Sequence, residues 1–98
     1  MTLDDIVQDI HVLEQDLQTY ERKYGVLSET FYESYQKGEE PADDAWVMDW
    51  SMWAGAYEIW LRRHVQYQTA IQKLQLQMPV LSAIIGKTAR RESIPVPG

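Results

Sequence analysis

Apolar residues recur at alternating steps of three and four through the first 24 residues of the chain. The positions are Leu3, Ile6, Ile10, Leu13, Leu17, Tyr20 and Tyr24. This spacing is a heptad seam, which makes one face of a helix apolar over three repeats. Thr2 precedes the seam as a cap, and Gly25 follows it where a glycine commonly ends a helix. The pattern predicts a first helix over residues 3–24.

The next segment predicts a second, short helix over residues 28–37. Ser28 is a good N-cap, and Gly38 is a suitable stop signal. Its aromatic residues cluster on one side: Phe31, Tyr32 and Tyr35. The following EEPADD segment is predicted as a loop in which Asp43 caps the helix after it.

A third and longest seam contains all four tryptophans of the chain. It runs through Trp46, Trp50, Trp53, Tyr57, Trp60, His64, Tyr67, Ile71, Leu74 and Met78. The spacing predicts a helix over about residues 43–77, ended by Pro79. A helix break at Gly55 is the alternative. Residues 79–98 mix a short apolar run with basic residues and prolines, and they are predicted as a partly ordered tail.

These elements predict an all-α fold with a single domain over residues 1–78. Its core is a long helical hairpin with a short intervening helix. At about 1.5 Å per residue, the first helix is about 33 Å long and the third about 50 Å, so part of the longer seam lacks cover. We expect a second chain to cover it, either another copy in a dimeric four-helix-bundle-like core or a different protein.

Charge is distributed unevenly along the chain. The formal net charge is −6, but residues 1–60 carry 14 acidic and three basic residues, and residues 61–98 carry one acidic and six basic. An acidic surface attracts basic proteins and repels phosphate backbones. A solvated acidic face that only aids solubility is the alternative. The KTARR run at 87–91 is short and has no aromatic residues within it, so we do not expect direct nucleic-acid binding.

The sequence contains no recognisable catalytic or ligand-binding motif. The sequence has no cysteine and no HExxH, EF-hand, GxGxxG or GxSxG pattern. His64 is predicted as a buried polar residue of the seam. We therefore expect no metal, no cofactor and no enzyme activity. The N-terminus carries acids where a signal peptide needs bases, and no apolar run reaches about 20 residues, so we expect a soluble cytoplasmic protein with no membrane contact.

One span of the chain resembles a known family. Residues 20–61 combine YERKYGVLSETFYESYQKGEE, a loop of the form DD-x-W and a helix containing W-A-G-x-Y-E. This resembles small acidic helical proteins of cyanobacteria and archaea that are encoded beside toxin genes and regarded as antitoxins. The residues that carry the resemblance are Tyr24, Gly25, Ser28, Glu29, Phe31, Tyr32, Gly38, Trp53, Ala54, Gly55, Tyr57 and Glu58. The sequence departs from the pattern in its extra tryptophans at 46, 50 and 60 and in its long apolar tail.

The resemblance implies an antitoxin that neutralises a basic toxin, such as a ribonuclease, by direct complex formation. Aromatic residues would supply the centre of such an interface and acidic residues its complementarity. The interface residues that we predict are Glu29, Phe31, Tyr32, Glu33, Trp46, Trp50, Trp53, Tyr57, Ile84 and Ile85. The alternative is a homo-oligomeric helical scaffold or assembly protein without catalytic activity.

Overall fold

The computed structural model describes residues 1–97, and 76% of the chain is helical. The elements are α1 (Leu3–Tyr24), α2 (Ser28–Gln36), a 3₁₀ turn (Asp44–Trp46), α3 (Val47–Gln77) and α4 (Leu81–Ala89). Within the described residues the one β-type pairing is an isolated bridge between Thr2 and Pro95. The all-α fold class is confirmed, and α1 packs against α3.

The boundaries of the first three helices lie close to those that the sequence pattern predicts. α1 begins and ends at the predicted residues, and α2 ends one residue before the predicted limit. Asp43 caps the 3₁₀ turn, because its carboxylate accepts a hydrogen bond from Ala45 N at 2.9 Å. α3 continues through Gly55 without a break. The alternative of a helix break at this glycine is therefore wrong.

Local signals at both ends of α1 explain its limits. Thr2 and Asp5 form a reciprocal cap: Thr2 N donates to Asp5 Oδ2 at 2.9 Å, and Asp5 N donates to Thr2 Oγ1 at 3.3 Å. Both bonds satisfy amides that a helix N-terminus leaves without partners. The bonds from Thr2 also lower the pKa of Asp5 below its usual value. At the other end Gly25 has φ +80°, a conformation that other residues adopt only with strain.

The chain forms two compact units, each with its own core. The first, which we call the end unit, contains residues 1–10 and the chain from residue 62 onward, and the second, the aromatic unit, contains residues 11–61. α1 and α3 contribute residues to both units. Six buried residues form the core of the end unit: Leu3, Ile6, Ala70, Leu74, Ile84 and Ile94.

The C-terminal half of the α3 seam is covered by the chain itself. Leu74 and the half-buried Tyr67, Ile71 and Met78 pack in the same cluster as Ile84 from α4. The difference in helix length led us to expect that a partner chain covers part of the α3 seam. Residues of the end unit cover that part instead. A dimer stays a prediction, but it no longer follows from this argument.

The segment predicted as a partly ordered tail contains a fourth helix and two core side chains. α4 begins at Leu81, two residues after Pro79, and Ile84 and Ile94 are 3% and 4% exposed. The residues after α4 return to the N-terminus, where Leu3 N donates to Ile94 O at 2.9 Å and Val96 N donates to the carbonyl of Met1 at 3.3 Å. Burial of apolar area favours this arrangement, because Ile84 and Ile94 share one core cluster with Leu3 and Ile6.

Two adjacent isoleucines in α4 test this packing. Ile84→Ala removes a buried side chain and should lower the free energy of unfolding by about 2–5 kcal/mol. Ile85 is 57% exposed, so Ile85→Ala should change it by less than about 0.5 kcal/mol. Urea unfolding followed by far-UV circular dichroism measures both. Equal effects of the two substitutions would show that α4 does not pack as described.

Candidate functional site

Trp53 lies at the centre of an aromatic cluster that joins three helices. Its ring is 1% exposed and stacks on Phe31 of α2, with ring centroids 3.9 Å apart and planes within 1°. Tyr20 and Tyr24 of α1 stack with it at 5.8 and 5.6 Å. Stacked pairs contribute about 0.5–1.5 kcal/mol each beyond the area that they bury. This cluster fixes α2 against the long helices.

Ser28 holds the Trp53 ring in place through a chain of hydrogen bonds. Trp53 Nε1 donates to Ser28 Oγ at 2.9 Å, and Ser28 Oγ donates to Glu21 Oε2 at 2.7 Å. Ser28 N donates to the same carboxylate oxygen at 2.8 Å. Ser28 is 3% exposed and is the first residue of α2, whereas Leu27 occupies the N-cap position. The predicted capping role of Ser28 is therefore wrong, because its hydroxyl bonds Trp53 and Glu21.

A second polar contact joins the end of α1 to the beginning of α3. Asp49 Oδ2 accepts hydrogen bonds from Lys23 Nζ and Tyr24 Oη, each at 2.6 Å. The bond from Lys23, followed by the bond from Tyr24, lowers the pKa of Asp49. The bond to Asp49 is also the main reason that the pKa of Lys23 is raised. Burial is the main reason that the pKa of Tyr24 is raised. The contact fixes Tyr24 at the edge of the aromatic cluster, where Trp46 meets it edge-on at 6.0 Å.

An open groove with aromatic walls runs beside this cluster. Its volume is about 480 Å³, and its lining residues are Lys23, Tyr24, Val26, Thr30, Phe31, Ser34, Glu39, Trp46, Trp50 and Trp53. We call it the aromatic groove. Phe31 and Trp53 form buried parts of its wall, whereas Trp46 and Val26 are 36% and 42% exposed. The volume is typical of pockets that bind ligands or anchor residues of partner proteins.

Acidic residues lie in and beside the aromatic groove. Glu39 lines it, and Glu40 and Asp44 line a neighbouring recess that shares Glu39 and Trp50 with the groove. Asp43 is exposed in the same segment between α2 and α3. The whole aromatic unit carries 11 acidic and three basic residues, a formal net charge of −8. Two exposed apolar side chains, Val47 and Met48, follow directly at the start of α3. The groove therefore combines apolar contact surface with two charged side chains, Lys23 and Glu39, within a unit of net negative charge.

A shallower recess lies elsewhere on the aromatic unit. Its volume is about 300 Å³, and Glu14, Glu21, Glu29, Tyr57 and Trp60 are among its lining residues. The Tyr57 and Trp60 rings stack at 5.7 Å. Burial raises the pKa of Tyr57, and the charges of Glu29 and Glu21 raise it further. Three of the residues that line the recess are glutamates, and one of them, Glu21, already accepts hydrogen bonds from Ser28.

The structure brings four of the predicted interface residues together in the aromatic groove. They are Phe31, Trp46, Trp50 and Trp53. Phe31 and Trp53 are 5% and 1% exposed, so their side chains serve the core of the unit. Trp46 is the one of the four whose ring is open to a partner, and Trp50 is half-buried beside it.

The other predicted residues of α2 and α3 do not join the groove. Glu29 and Tyr57 line the recess. The hydroxyl of Tyr32 donates to Glu58 Oε1 at 3.0 Å. Glu33 is exposed and forms an ion pair with Lys37 at 3.2 Å.

The last two predicted interface residues lie in the end unit. Ile84 is buried in its core, and Ile85 is exposed on α4.

Sequence reasoning missed several residues of the groove and its support. Thr30 and Ser34 line the groove from α2, four residues apart and thus on one helix face, so their spacing was a usable signal. Lys23 and Asp49 are 26 residues apart, and nothing local in the sequence pairs them. Ser28 and Trp53 are 25 residues apart, and nothing local in the sequence pairs them either.

Comparison with known proteins does not indicate a family for this chain. The chain matches no protein-family model, and no curated protein and no solved structure is significantly similar to it. The resemblance described above therefore rests on its own residues. Among residues 1–97, no three His, Asp or Glu side chains converge as a metal site. No helix in that range has both the length and the apolar character needed to cross a bilayer.

The hydrogen bond between Trp53 and Ser28 can be tested by a double-mutant cycle. Ser28→Ala leaves the buried Trp53 N–H without its acceptor and should cost about 1–3 kcal/mol of unfolding free energy. In a Trp53→Phe background, which lacks that N–H, the same serine substitution should cost less by about 1 kcal/mol. The exposed Ser51→Ala is the control and should be nearly neutral. Urea titrations measure all five proteins, and strictly additive effects would contradict the bond.

Proposed function

We propose that this chain is a non-catalytic protein-binding module that takes up a basic protein in its aromatic groove. The observation that carries the proposal is the groove itself, which is open, largely apolar and about 480 Å³ in volume, and which has Glu39 in its lining. Groove-type recognition commonly uses an apolar anchor on the partner together with complementary charge. A partner segment with an apolar side chain flanked by lysine or arginine fits both features.

The apolar part of the groove would supply most of the binding strength. Trp46 lines the groove and is 36% exposed. Val47 and Met48 follow it in the chain outside the groove lining and are 53% and 73% exposed, so the three form a consecutive run of open apolar side chains. Tryptophan is enriched among the residues that dominate binding energies at interfaces, and methionine adapts to varied partner surfaces. A partner that covers this run removes apolar area from water at about 25 cal/mol per Å².

The acidic residues would act mainly on encounter and partner choice. A net charge of −8 over residues 11–61 attracts cationic proteins at long range and disfavours acidic ones. Exposed charges are screened within about 8–10 Å at physiological ionic strength. Added salt should therefore slow association more than it speeds dissociation.

The resemblance to the antitoxin family extends the proposal to a biological role. On that reading the partner is a toxin, such as a ribonuclease, which acts in the cytoplasm and uses a basic surface to hold RNA. An acidic module that covers this surface would block substrate access. The span that carries the resemblance, residues 20–61, contains most of the groove, and this supports a shared use.

A second candidate function is a homo-oligomeric scaffold with no toxin partner. The observation that favours it is a set of exposed apolar side chains in the end unit, among them Leu76, Val80, Leu81 and Ile85. Such residues are tolerated singly on a surface, but several together mark an interaction site.

Co-expression with the adjacent open reading frame tests the toxin role. If the neighbour arrests growth, this chain should relieve the arrest and co-purify with it. The decisive substitution is Trp46→Ala, which should weaken the complex by about tenfold or more because it removes the open ring of the groove. Met52→Ala is the matched control, since Met52 is exposed on α3 and does not line the groove. A neighbour that is harmless, or toxic but not bound, would contradict the antitoxin role.

Paired charge reversals locate the interface. Glu39→Lys with Glu40→Lys should reduce the association rate with a basic partner, because Glu39 lines the groove and Glu40 lines the neighbouring recess that shares Glu39 with it. Glu29→Lys with Glu33→Lys changes the charge equally on α2 outside the groove and should have a smaller effect. Equal slowing by the two pairs would mean that only overall charge matters, and a larger effect of the second pair would move the interface to the recess.

A further inference from the structure

The aromatic groove has charges of both signs in its lining, from Lys23 and Glu39. Two uncompensated opposite charges would give a partner no net preference for cationic or anionic groups. Lys23, however, is already engaged, because its Nζ donates to Asp49 Oδ2 at 2.6 Å and forms an ion pair with that carboxylate. Asp49 itself stands outside the groove lining. It lines a separate recess of the aromatic unit together with Lys23 and Asp16.

Asp49 is the fixed member of this ion pair. Its Oδ2 also accepts a hydrogen bond from Tyr24 Oη at 2.6 Å, and the Tyr24 ring stacks on the buried Trp53 at 5.6 Å. The Asp49 side chain is 27% exposed, against 61% for Lys23. Its hydrogen bonds hold the pKa of Asp49 below the usual value, so the carboxylate is charged at neutral pH. Lys23 Nζ also lies 5.5 Å from the centroid of the Tyr24 ring, within the range of a cation–π contact.

We propose that Asp49 is the residue that sets the charge of the aromatic groove: it neutralises Lys23, so that Glu39 determines the sign that a partner meets there. Asp49 is thus a positioning and specificity residue that acts through Lys23. The proposal rests on the groove being a docking surface, as in the proposed function, and it explains how a groove with a lysine in its lining can accept a cationic side chain. Without the Asp49 carboxylate, Lys23 would oppose Glu39 and the preference would be lost.

Trp46 is a built-in sensor for this charge. It lines the groove, is 36% exposed and meets Tyr24 edge-on at 6.0 Å. Iodide and caesium ions quench the fluorescence of an indole only on contact. Their concentrations beside Trp46 follow the local electrostatic potential in opposite directions. The ratio of the iodide quenching constant to the caesium quenching constant therefore reports the sign of the groove without any partner protein.

Quenching of the full chain by these two ions tests the proposal. The ionic strength is held at about 0.1 M, where charges act over about 10 Å. The contribution of Trp46 is the difference between each protein and its Trp46→Phe counterpart. Asp49→Asn should raise the iodide-to-caesium ratio about twofold, because it leaves the charge of Lys23 uncompensated. Adding Lys23→Met to Asp49→Asn should return the ratio to that of the natural chain.

Glu33→Gln is the matched control. It also removes one carboxylate from an ion pair with a lysine, Lys37, in the same unit, but neither residue lines the groove, so the ratio should change much less. Neutral acrylamide measures access to Trp46, and far-UV circular dichroism confirms that the helices are retained. If Asp49→Asn raised quenching by iodide, caesium and acrylamide alike, Asp49 would serve packing only. That result, or an effect no larger than that of Glu33→Gln, overturns the proposal.

The role of Asp49 and the proposed function fail in different ways. A raised iodide-to-caesium ratio in Asp49→Asn, together with slower association of this variant with a basic partner that binds through Trp46, supports both. A partner that binds through Trp46 and associates with Asp49→Asn as fast as with the natural chain removes only the role of Asp49. Control of the ratio by Asp49 in a protein that binds no basic partner removes only the proposed function.

Discussion

The arrangement of the aromatic unit depends on one serine hydroxyl. Ser28 Oγ accepts the Trp53 N–H and donates to Glu21, and in this way it satisfies two groups that are costly to enclose without partners. By contrast, Trp50 Nε1 is buried and has no acceptor among residues 1–97. The position of the Trp53 ring then determines where Phe31 can stack. Since Phe31 is the buried anchor of α2, this hydrogen bond also fixes the short helix that forms one side of the groove.

The core and the candidate binding surface share the same residues. Phe31 and Trp53 bury most of their area within the unit, yet both contribute to the wall of the groove. A substitution that reshapes the groove from this side would also loosen the core. Evolutionary or engineered changes in partner choice are therefore expected at Trp46, Val26 and the acidic residues, whose side chains are more exposed. Rigid rings behind the groove would keep it preformed and reduce the entropy lost on binding.

The sequence predicted the helices and the inward faces well because both follow from short-range periodicity. Each seam position of α1 is buried or half-buried, and the same is true of the α3 seam except for Trp46. Prediction was weaker where distant residues meet. The α3 seam gave no sign that α4 would cover it, since a nine-residue helix that follows Pro79 and precedes the prolines at 95 and 97 resembles a loose tail locally. Lys23 with Asp49, and Ser28 with Trp53, are paired by the tertiary fold, which no local pattern encodes.

The confinement of all four tryptophans to residues 46–60 gives the protein an internal optical label. Every indole lies in the aromatic unit, so intrinsic fluorescence excited at the red edge of the absorption band reports on that unit alone. The end unit has tyrosine but no tryptophan and is almost silent in such a measurement. Far-UV circular dichroism reports the helices of both units together, so it also follows the unfolding of the end unit. Comparing the two melting curves resolves whether the units unfold together or in sequence, without a single added dye.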